Sequence, residues 1–256
     1  LIGEDALLRP PALAAIAAAR EAGAKVIVAT GRMFRSVRPY LEQAGIDDPV
    51  VCYQGAAVVD PPSGEFLVHE PIPLDVAREA VAVLEQAGHP PNCYVDDELF
   101  VAEHTAYSRA YADFQRLPVT EVGDLLGWLD RPPTKLVAVG DPEELPALRE
   151  RLAERLGGRV FLTTSLPYLL ELGNPAVSKG TGLAVVARLL GFSPERTVAF
   201  GDGENDVELL EWAGYGIAVE DGHPALRARA DALCPGPEHD GVARVIEAYL
   251  GVNSRE

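Results

Sequence analysis

The residues with the most chemistry to offer lie in Gly201-Asp202-Gly203-Glu204-Asn205-Asp206. Before them, Thr197 to Phe200 is an apolar run with β-branched and aromatic residues, the pattern of a short buried strand. After them, Val207, Leu209 and Leu210 begin a helix. Asp202 then stands at the carboxyl end of the strand, and Asp206 falls four residues later in the first helical turn. Open α/β sheets bind ligands at the carboxyl ends of their strands. Two converging carboxylates there suit Mg2+, a hard ion that takes one or two carboxylates, keeps several waters and shares a phosphate's oxygens. The same residues also read as an N-capped turn without a metal, because Asp, Asn and Gly are ordinary in that place.

Two other loops carry groups that complement such a site. Thr30-Gly31-Arg32 follows the apolar run Ala24 to Ala29, and Ser178-Lys179-Gly180 opens a helix. A hydroxyl and the next backbone N–H bind phosphoryl oxygens at a helix start. A lysine neutralises charge that builds during phosphoryl transfer. Lys179 is the most telling, since the helix dipole disfavours a cation there unless an anion is near. Singly, each has a plainer reading: Thr30 as the cap of a helix beginning near Met33, Lys179 and Arg32 as surface charges. His223 reads as an acid or base on the substrate side, or as a surface residue at a helix start. His69, His89, His104 and His239 show no ligand spacing.

The elements that must position these loops alternate in type. Pro10-Pro11 and Gly23 bracket an alanine-rich helix from Ala12 to Ala22. Ala24 to Ala29 predicts a strand, Phe34 to Ala44 a helix, and Pro49 to Tyr53 another strand. Ala57–Asp60 and Glu65–His69 flank Asp60-Pro61-Pro62-Ser63-Gly64 as a hairpin. That alternation predicts an α/β fold with a Rossmann-like, doubly wound parallel-sheet core. After Pro71-Ile72-Pro73 the pattern turns β-rich. It runs through a helix Leu74 to Ala87, two short strands about Asp96-Asp97-Glu98, and a poorly patterned stretch with Tyr107, Tyr111, Phe114 and Trp128. A strand Lys135 to Val139, a helix Pro142 to Leu156, and strands Arg159 to Thr164 and Tyr168 to Leu172 complete it. An inserted α/β domain of about a hundred residues is expected, at 73–168, with the core at 1–72 and 169–256. Within the core, Ser178 opens a helix through Leu190, Gly216 to Val219 is a strand, and His223 to Ala230 and Gly241 to Leu250 are helices.

The 256 residues carry a formal charge of -17, which argues against a nucleic-acid or anionic-membrane partner. A phosphate substrate stays compatible, because a bound divalent cation inverts the field of one pocket. No apolar run approaches the ~18 residues of a membrane span, and no signal peptide is visible. Cys52, Cys93 and Cys234 are odd in number and widely spaced. They read as buried thiols in a reducing cytoplasm, rather than a disulfide framework or a zinc site.

Ala29-Thr30-Gly31-Arg32, Ser178-Lys179-Gly180-Thr181-Gly182-Leu183 and Gly201–Asp206, with Asp240-Gly241-Val242 near the end, resemble the haloacid dehalogenase superfamily. The likeness to its Cof-type phosphatases covers nearly the whole chain. It implies a large α/β cap inserted after the early core strands, and a Mg2+-dependent phosphatase acting on a small phosphorylated metabolite such as a sugar phosphate. By the same resemblance Thr30, Gly31 and Arg32 would bind the phosphate or substrate, chiefly through Thr30 and the Gly31 amide. Lys179 would bridge phosphate and nucleophile, and Asp202 would ligate Mg2+. Asn205 would touch the substrate phosphate, and Asp206 would hold the metal directly or through another ligand. A phosphomutase or phosphotransferase of the superfamily, or a phosphate-binding homologue without turnover, would keep the same residues.

The family begins with a strand ending in Asp-x-Asp-Gly-Thr, whose first Asp becomes an aspartyl phosphate and whose second moves the protons. The sequence contains no such motif: Asp47-Asp48 follows a helix and Asp96-Asp97 falls in the insert. Leu1-Ile2-Gly3-Glu4-Asp5 looks like the segment just after it. The native chain is therefore expected to carry ~10–15 further N-terminal residues, about one strand and its loop. Two smaller departures are Gln54-Gly55 where the family often has Asn-Gly, and Asp221-Gly222-His223 where it often has Gly-Asn-Ala. The cap would close over the leaving group and choose the substrate. Asp96, Asp97 and Glu98 read as partners for sugar hydroxyls or as a hairpin turn. The cap aromatics read as a stacking platform or as core.

Overall fold

The computed structural model of the protein describes residues 7–115 and 117–253, so Leu1–Asp5 and the reading placed on them lie outside the described residues, as does the side chain of Phe114. The chain divides into two compact units. One is built from the stretches ending at Gly31, spanning Val37–Leu67 and starting at Ser178; the other is Arg32–Ser36 with Val68–Val177.

In the first unit, helix Pro10–Glu21 buries Ala12, Ala15, Ile16 and Ala19, one stripe at i, i+3, i+4 and i+7. It packs on helix Gly241–Asn253. Strands Val198–Gly201, Tyr215–Val219 and Ala232–Cys234 form a parallel sheet in that order. Helices Lys179–Leu190 and Val207–Trp212 cover it through Leu183, Leu209 and Leu210, which meet Ala199 and Ala218. Val50–Cys52 pairs antiparallel with Ala57–Val59, and Phe66–His69 is the next strand of that sheet. The strand expected over Ala24 to Ala29 is reduced, among the described residues, to one parallel bridge between Ala29 and Val51. The Thr30 N–H donates to Val51 O (2.8 Å) and the Val51 N–H to Val28 O (2.9 Å), so among the described residues this end of the apolar run is the laddered one. The helix expected from His223 to Ala230 shortens to Pro224–Arg227, and the three-residue strand Ala232–Cys234 was too short to leave a pattern.

The second unit holds a six-stranded sheet ordered Val119–Glu121, Glu98–Val101, Asn92–Val95, Lys135–Val139, Leu169–Gly173 and Phe161–Leu166. Every pair is antiparallel except the first. Alternation along the strands sends Cys93, Val95, Leu136, Ala138 and Leu172 to one face. There they pack on Ala77, Val81 and Leu84 of helix Leu74–Gln86 and on Leu148 and Leu152 of helix Leu145–Leu156. Lys135 and Glu171 form a buried ion pair (3.0 Å). Lys135 Nζ sits 5.2 Å from the Tyr94 ring centre, and the Tyr94 hydroxyl donates to that of Tyr111 (2.6 Å). The poorly patterned stretch holds helix Ala106–Gln115, strand Val119–Glu121 and the short helix Leu125–Trp128.

Asp96 and Asp97 adopt left-handed φ (50° and 57°) in the turn joining Asn92–Val95 to Glu98–Val101. Their carboxylates are committed within the protein. Asp97 accepts from the Phe34 and Arg35 N–H groups (3.0 and 2.8 Å), Asp96 pairs with Arg131, and Glu98 pairs with Arg35 (3.3 Å). Trp128 lies 4.4 Å from Phe100, centre to centre, as part of the core edge. The three cysteines are buried and free. Among the described residues no helix is long and apolar enough to cross a membrane.

Candidate active site

Strand Val198–Gly201 delivers Asp202 to its carboxyl end, and the chain then turns so that Asp206 folds back beneath it. A Cβ on Gly201 would stand 2.5 Å from the Asp206 Cβ, so only glycine lets that return happen. The Asp206 carboxylate is 3% exposed and holds three donors. Its Oδ2 accepts from the Asp202 and Gly203 N–H groups (3.0 Å each), and its Oδ1 accepts from Lys179 Nζ (2.6 Å).

Lys179 is the first residue of helix Lys179–Leu190 and is itself buried. Ser178 caps that helix. Its hydroxyl accepts from the Thr181 N–H (3.2 Å), while the Ser178 N–H donates to Thr181 Oγ1 (2.8 Å). This is a capping box with threonine in the usual glutamate place. The helix start is wedged closely, since a Cβ on Gly180 would meet the Glu208 carbonyl and one on Gly182 the Val51 side chain. A cation at a helix N-terminus is disfavoured by the dipole; the Asp206 carboxylate is what holds it there.

The two carboxylates differ in electrostatic state. Burial raises the Asp202 carboxyl, and the adjacent Asp206 charge raises it further against the opposing pull of Lys179. Burial acts to raise Asp206 too, but the Lys179 ammonium with the Gly203 and Asp202 amides outweighs it and holds the group below its ordinary value. Asp206 is thus neutralised by its partners, whereas Asp202 keeps an exposed face and an unrelieved anionic cost. Among the described residues no three His, Cys, Asp or Glu side chains gather as a metal cluster. The Asp202 carboxylate, with the one acceptor site that Asp206 leaves open, matches a hard divalent cation that takes its remaining ligands from water and phosphate.

Thr30, Gly31 and Asn205 are drawn to the same region by a residue outside the expected set, Gln54. Its N–H donates to Thr30 O (3.0 Å), and its Oε1 accepts from Asn205 Nδ2 (2.9 Å). A Cβ on Gly31 would run into its side-chain amide. Gly55, at φ 105°, backs onto the Ser178 carbonyl so closely that no Cβ fits. One unit therefore brings together Thr30, Gly31, Lys179, Asp202, Asn205 and Asp206. Arg32 groups instead with the second unit, where its Nη1 donates to Ser36 Oγ (3.3 Å).

His223 is exposed, and its Nδ1 accepts from the Ala225 N–H (3.3 Å) as the cap of helix Pro224–Arg227. Its own N–H donates to Asp202 O (2.8 Å), and a Cβ on Gly222 would sit 2.9 Å from that same oxygen. The Asp221-Gly222-His223 turn thus fixes the Asp202 backbone. Asp47 and Asp48 pair with Arg20, and Asp48 also with Lys25 (3.3 Å), as surface ion pairs.

The description haloacid dehalogenase-like hydrolase belongs to a family model that matches residues 1–246. The chain is 30% identical over 258 residues to the 5-amino-6-(5-phospho-D-ribitylamino)uracil phosphatase of Bacillus subtilis, covering 98% of this chain and 94% of that one. It is 28% identical over 254 residues to the pyridoxal phosphate phosphatase of Escherichia coli, covering 95% and 92%. A solved haloacid dehalogenase-like hydrolase from Bacteroides thetaiotaomicron shares the fold with a TM-score of 0.89, at 23% identity, over 97% of this chain and 95% of that one. With a match that runs through both units from one end to almost the other, the chain belongs to the haloacid dehalogenase-like hydrolase family.

Proposed function

We propose that the protein is a Mg2+-dependent phosphatase that hydrolyses a small phosphomonoester. One observation carries the reading: Lys179 is pinned by Asp206 at a helix start, beside the unrelieved Asp202 carboxylate and near the Gly31 and Asn205 donors. Asp202 is the metal ligand in this reading, and Asp206 orients Lys179 and the Asp202 backbone. Bound Mg2+ would supply charge neutralisation for the phosphoryl oxygens. Thr30 and the Gly31 N–H bind those oxygens, Asn205 binds another, and Lys179 offsets the charge that develops on them during transfer. Arg32 is a further substrate-side cation.

Hydrolysis proceeds in two transfers. An aspartate oxygen attacks phosphorus and the P–O bond to the leaving alcohol breaks, with a second carboxyl giving the alcohol its proton. Water then attacks the aspartyl phosphate, loses its proton to that same carboxylate, and releases inorganic phosphate. In the family resemblance both aspartates come from an Asp-x-Asp-Gly-Thr motif. Residues 73–168 are read as the cap that selects the substrate, and 1–72 with 169–256 as the core that carries the transfer. Relatives whose names specify a ribitylaminouracil phosphate and pyridoxal phosphate support a phosphorylated metabolite as substrate.

The test is phosphate release from p-nitrophenyl phosphate by the native full-length protein. Release that EDTA abolishes and Mg2+ restores is expected, with an Asp202→Asn protein folded but inactive. Equal release with and without metal would end this reading.

A further inference from the structure

We propose that Gln54 is a further substrate-binding residue, its side-chain amide donating to the phosphoryl oxygen held at Gly31; the inference rests on the phosphatase reading above. Gln54 is tied to two of the three loops that carry the candidate site, and its neighbour Gly55 touches the third. Its N–H is bonded to Thr30 O, its side chain packs on Gly31 and reaches Asn205, and its neighbour Gly55 is pressed on the Ser178 carbonyl.

The orientation of the amide follows from its partner. Asn205 Nδ2 can only donate, so the Gln54 atom facing it must be the acceptor Oε1. The NH2 group is thereby turned the other way, and Nε2 is indeed the Gln54 atom nearest the place a Gly31 Cβ would take. Among the described residues Nε2 has no hydrogen-bond partner, yet it is not sealed from solvent. In a residue only 6% exposed, a donor that still reaches solvent is open to an acceptor from outside the chain, a water or a ligand oxygen.

The backbone tells the same story. Tyr53 and Gln54 both adopt left-handed φ (53° and 60°), a conformation two consecutive non-glycine residues rarely share. Strain of that kind persists where the surroundings over-determine it, and it clusters at ligand clamps. Here it aims one amide between Gly31 and Asn205. An oxyanion placed at the Gly31 N–H would then meet a row of neutral donors (Gly31 N, Gln54 Nε2), with the charge of Lys179 left for the transition state.

The experiment measures the inhibition constant of inorganic phosphate and the KM for p-nitrophenyl phosphate, with thermal melting alongside, in the native full-length protein and in Gln54→Glu. Glutamate keeps the size and the acceptor for Asn205 but replaces the donor with an anionic oxygen. Loss of a hydrogen bond to a charged group predicts roughly a tenfold to hundredfold rise in both constants, with the melting temperature nearly unchanged. Both constants within twofold of wild type would overturn the proposal, as would a large loss of melting temperature with unchanged constants in the folded fraction. Should Gln54→Glu fail to fold, Gln54→Asn serves instead. One methylene shorter, it cannot reach Gly31 and Asn205 together, so a rise of several-fold is expected and an unchanged constant refutes. A wild-type protein that neither hydrolyses the ester nor is inhibited by phosphate would overturn the phosphatase reading and this proposal together. Hydrolysis by wild type with an indifferent Gln54→Glu overturns this proposal alone.

Discussion

Replacing Lys179 by Met isolates the buried pair on which the site is built. The ammonium lies 2.6 Å from Asp206 Oδ1, and both side chains are more than nine-tenths shielded from solvent. Removing one partner of a buried pair costs about 3–5 kcal/mol, because the other charge is stranded. The Asp202 and Gly203 N–H groups remain on Oδ2 in the variant, so the cost should fall near ~3 kcal/mol, the lower end of that range. Adding Asp206→Asn to Lys179→Met removes the stranded charge while leaving a carbonyl oxygen for those two amides. The double variant should therefore recover most of the loss, with a coupling of about 2 kcal/mol or more. Trp212 closes helix Val207–Trp212 in the same unit, and Trp128 belongs to the other, so guanidinium unfolding followed by fluorescence in a Trp128→Phe background reads the relevant unit. Acid supplies a second readout. In wild type Asp206 is held below its ordinary carboxyl value, so its ionisation stabilises above about pH 4 and that contribution fades as pH falls. In Lys179→Met only the Asp202 and Gly203 amides oppose burial, so the folded-state value rises, less stability is lost on protonation and the gap to wild type narrows in acid. A single variant within about 1 kcal/mol of wild type, or strictly additive single and double costs, would refute the reasoning.

Asp202→Asn should melt at or slightly above the wild-type temperature without metal, since it removes a carboxylate whose ionisation burial and Asp206 oppose. Wild type should gain stability on Mg2+ addition, about 2.7 kcal/mol at a hundred times the dissociation constant, and calorimetry should find that gain absent from Asp202→Asn. Glu171→Gln strands Lys135 in the second unit and should cost about 3–5 kcal/mol, seen as an earlier unfolding transition of Trp128 fluorescence. His223→Asn retains a cap acceptor for helix Pro224–Arg227 and should leave melting within ~0.5 kcal/mol equivalent. Its rate of phosphate release should also be unchanged, whereas a hundredfold loss would restore the acid–base reading of that histidine.

What the sequence revealed and what it hid follow a physical line. Loops whose chemistry is borne by charged or glycine-rich runs were legible: Lys179, Asp202 and Asp206 converge as their strand-end and helix-start positions required. Long amphipathic helices were legible for the same reason, since burial of Ala77, Val81 and Leu84 follows from spacing alone. Ala24 to Ala29 has the composition of a strand, but a strand is defined by partners as well as by residues, and among the described residues its end is the part laddered onto Val51. Ala232–Cys234 and the helix Ala106–Gln115 failed the other way, being too short or too mixed in polarity to show a period. Gln54 was visible only as an unusual residue beside Gly55. Its weight comes from a left-handed backbone and from contacts to residues far along the chain, neither of which has a local signature.

The division of labour between the two carboxylates follows from counting lone pairs. A carboxylate offers about four acceptor sites, and three donors already occupy those of Asp206: Lys179 Nζ and the N–H groups of Asp202 and Gly203. About one site is left for a cation, and any closer approach would set the metal against the three buried donors. Asp206 is therefore better suited to fix the Asp202 backbone and Lys179 than to bind a cation itself. Lys179 in turn spends one of its three N–H donors on Asp206, and the remaining two sit at a helix start packed so closely on the Glu208 carbonyl that a Cβ at Gly180 would collide with it. An arriving phosphate would find its lysine already oriented, so the entropy of placing that long side chain is lost on folding rather than at each turnover.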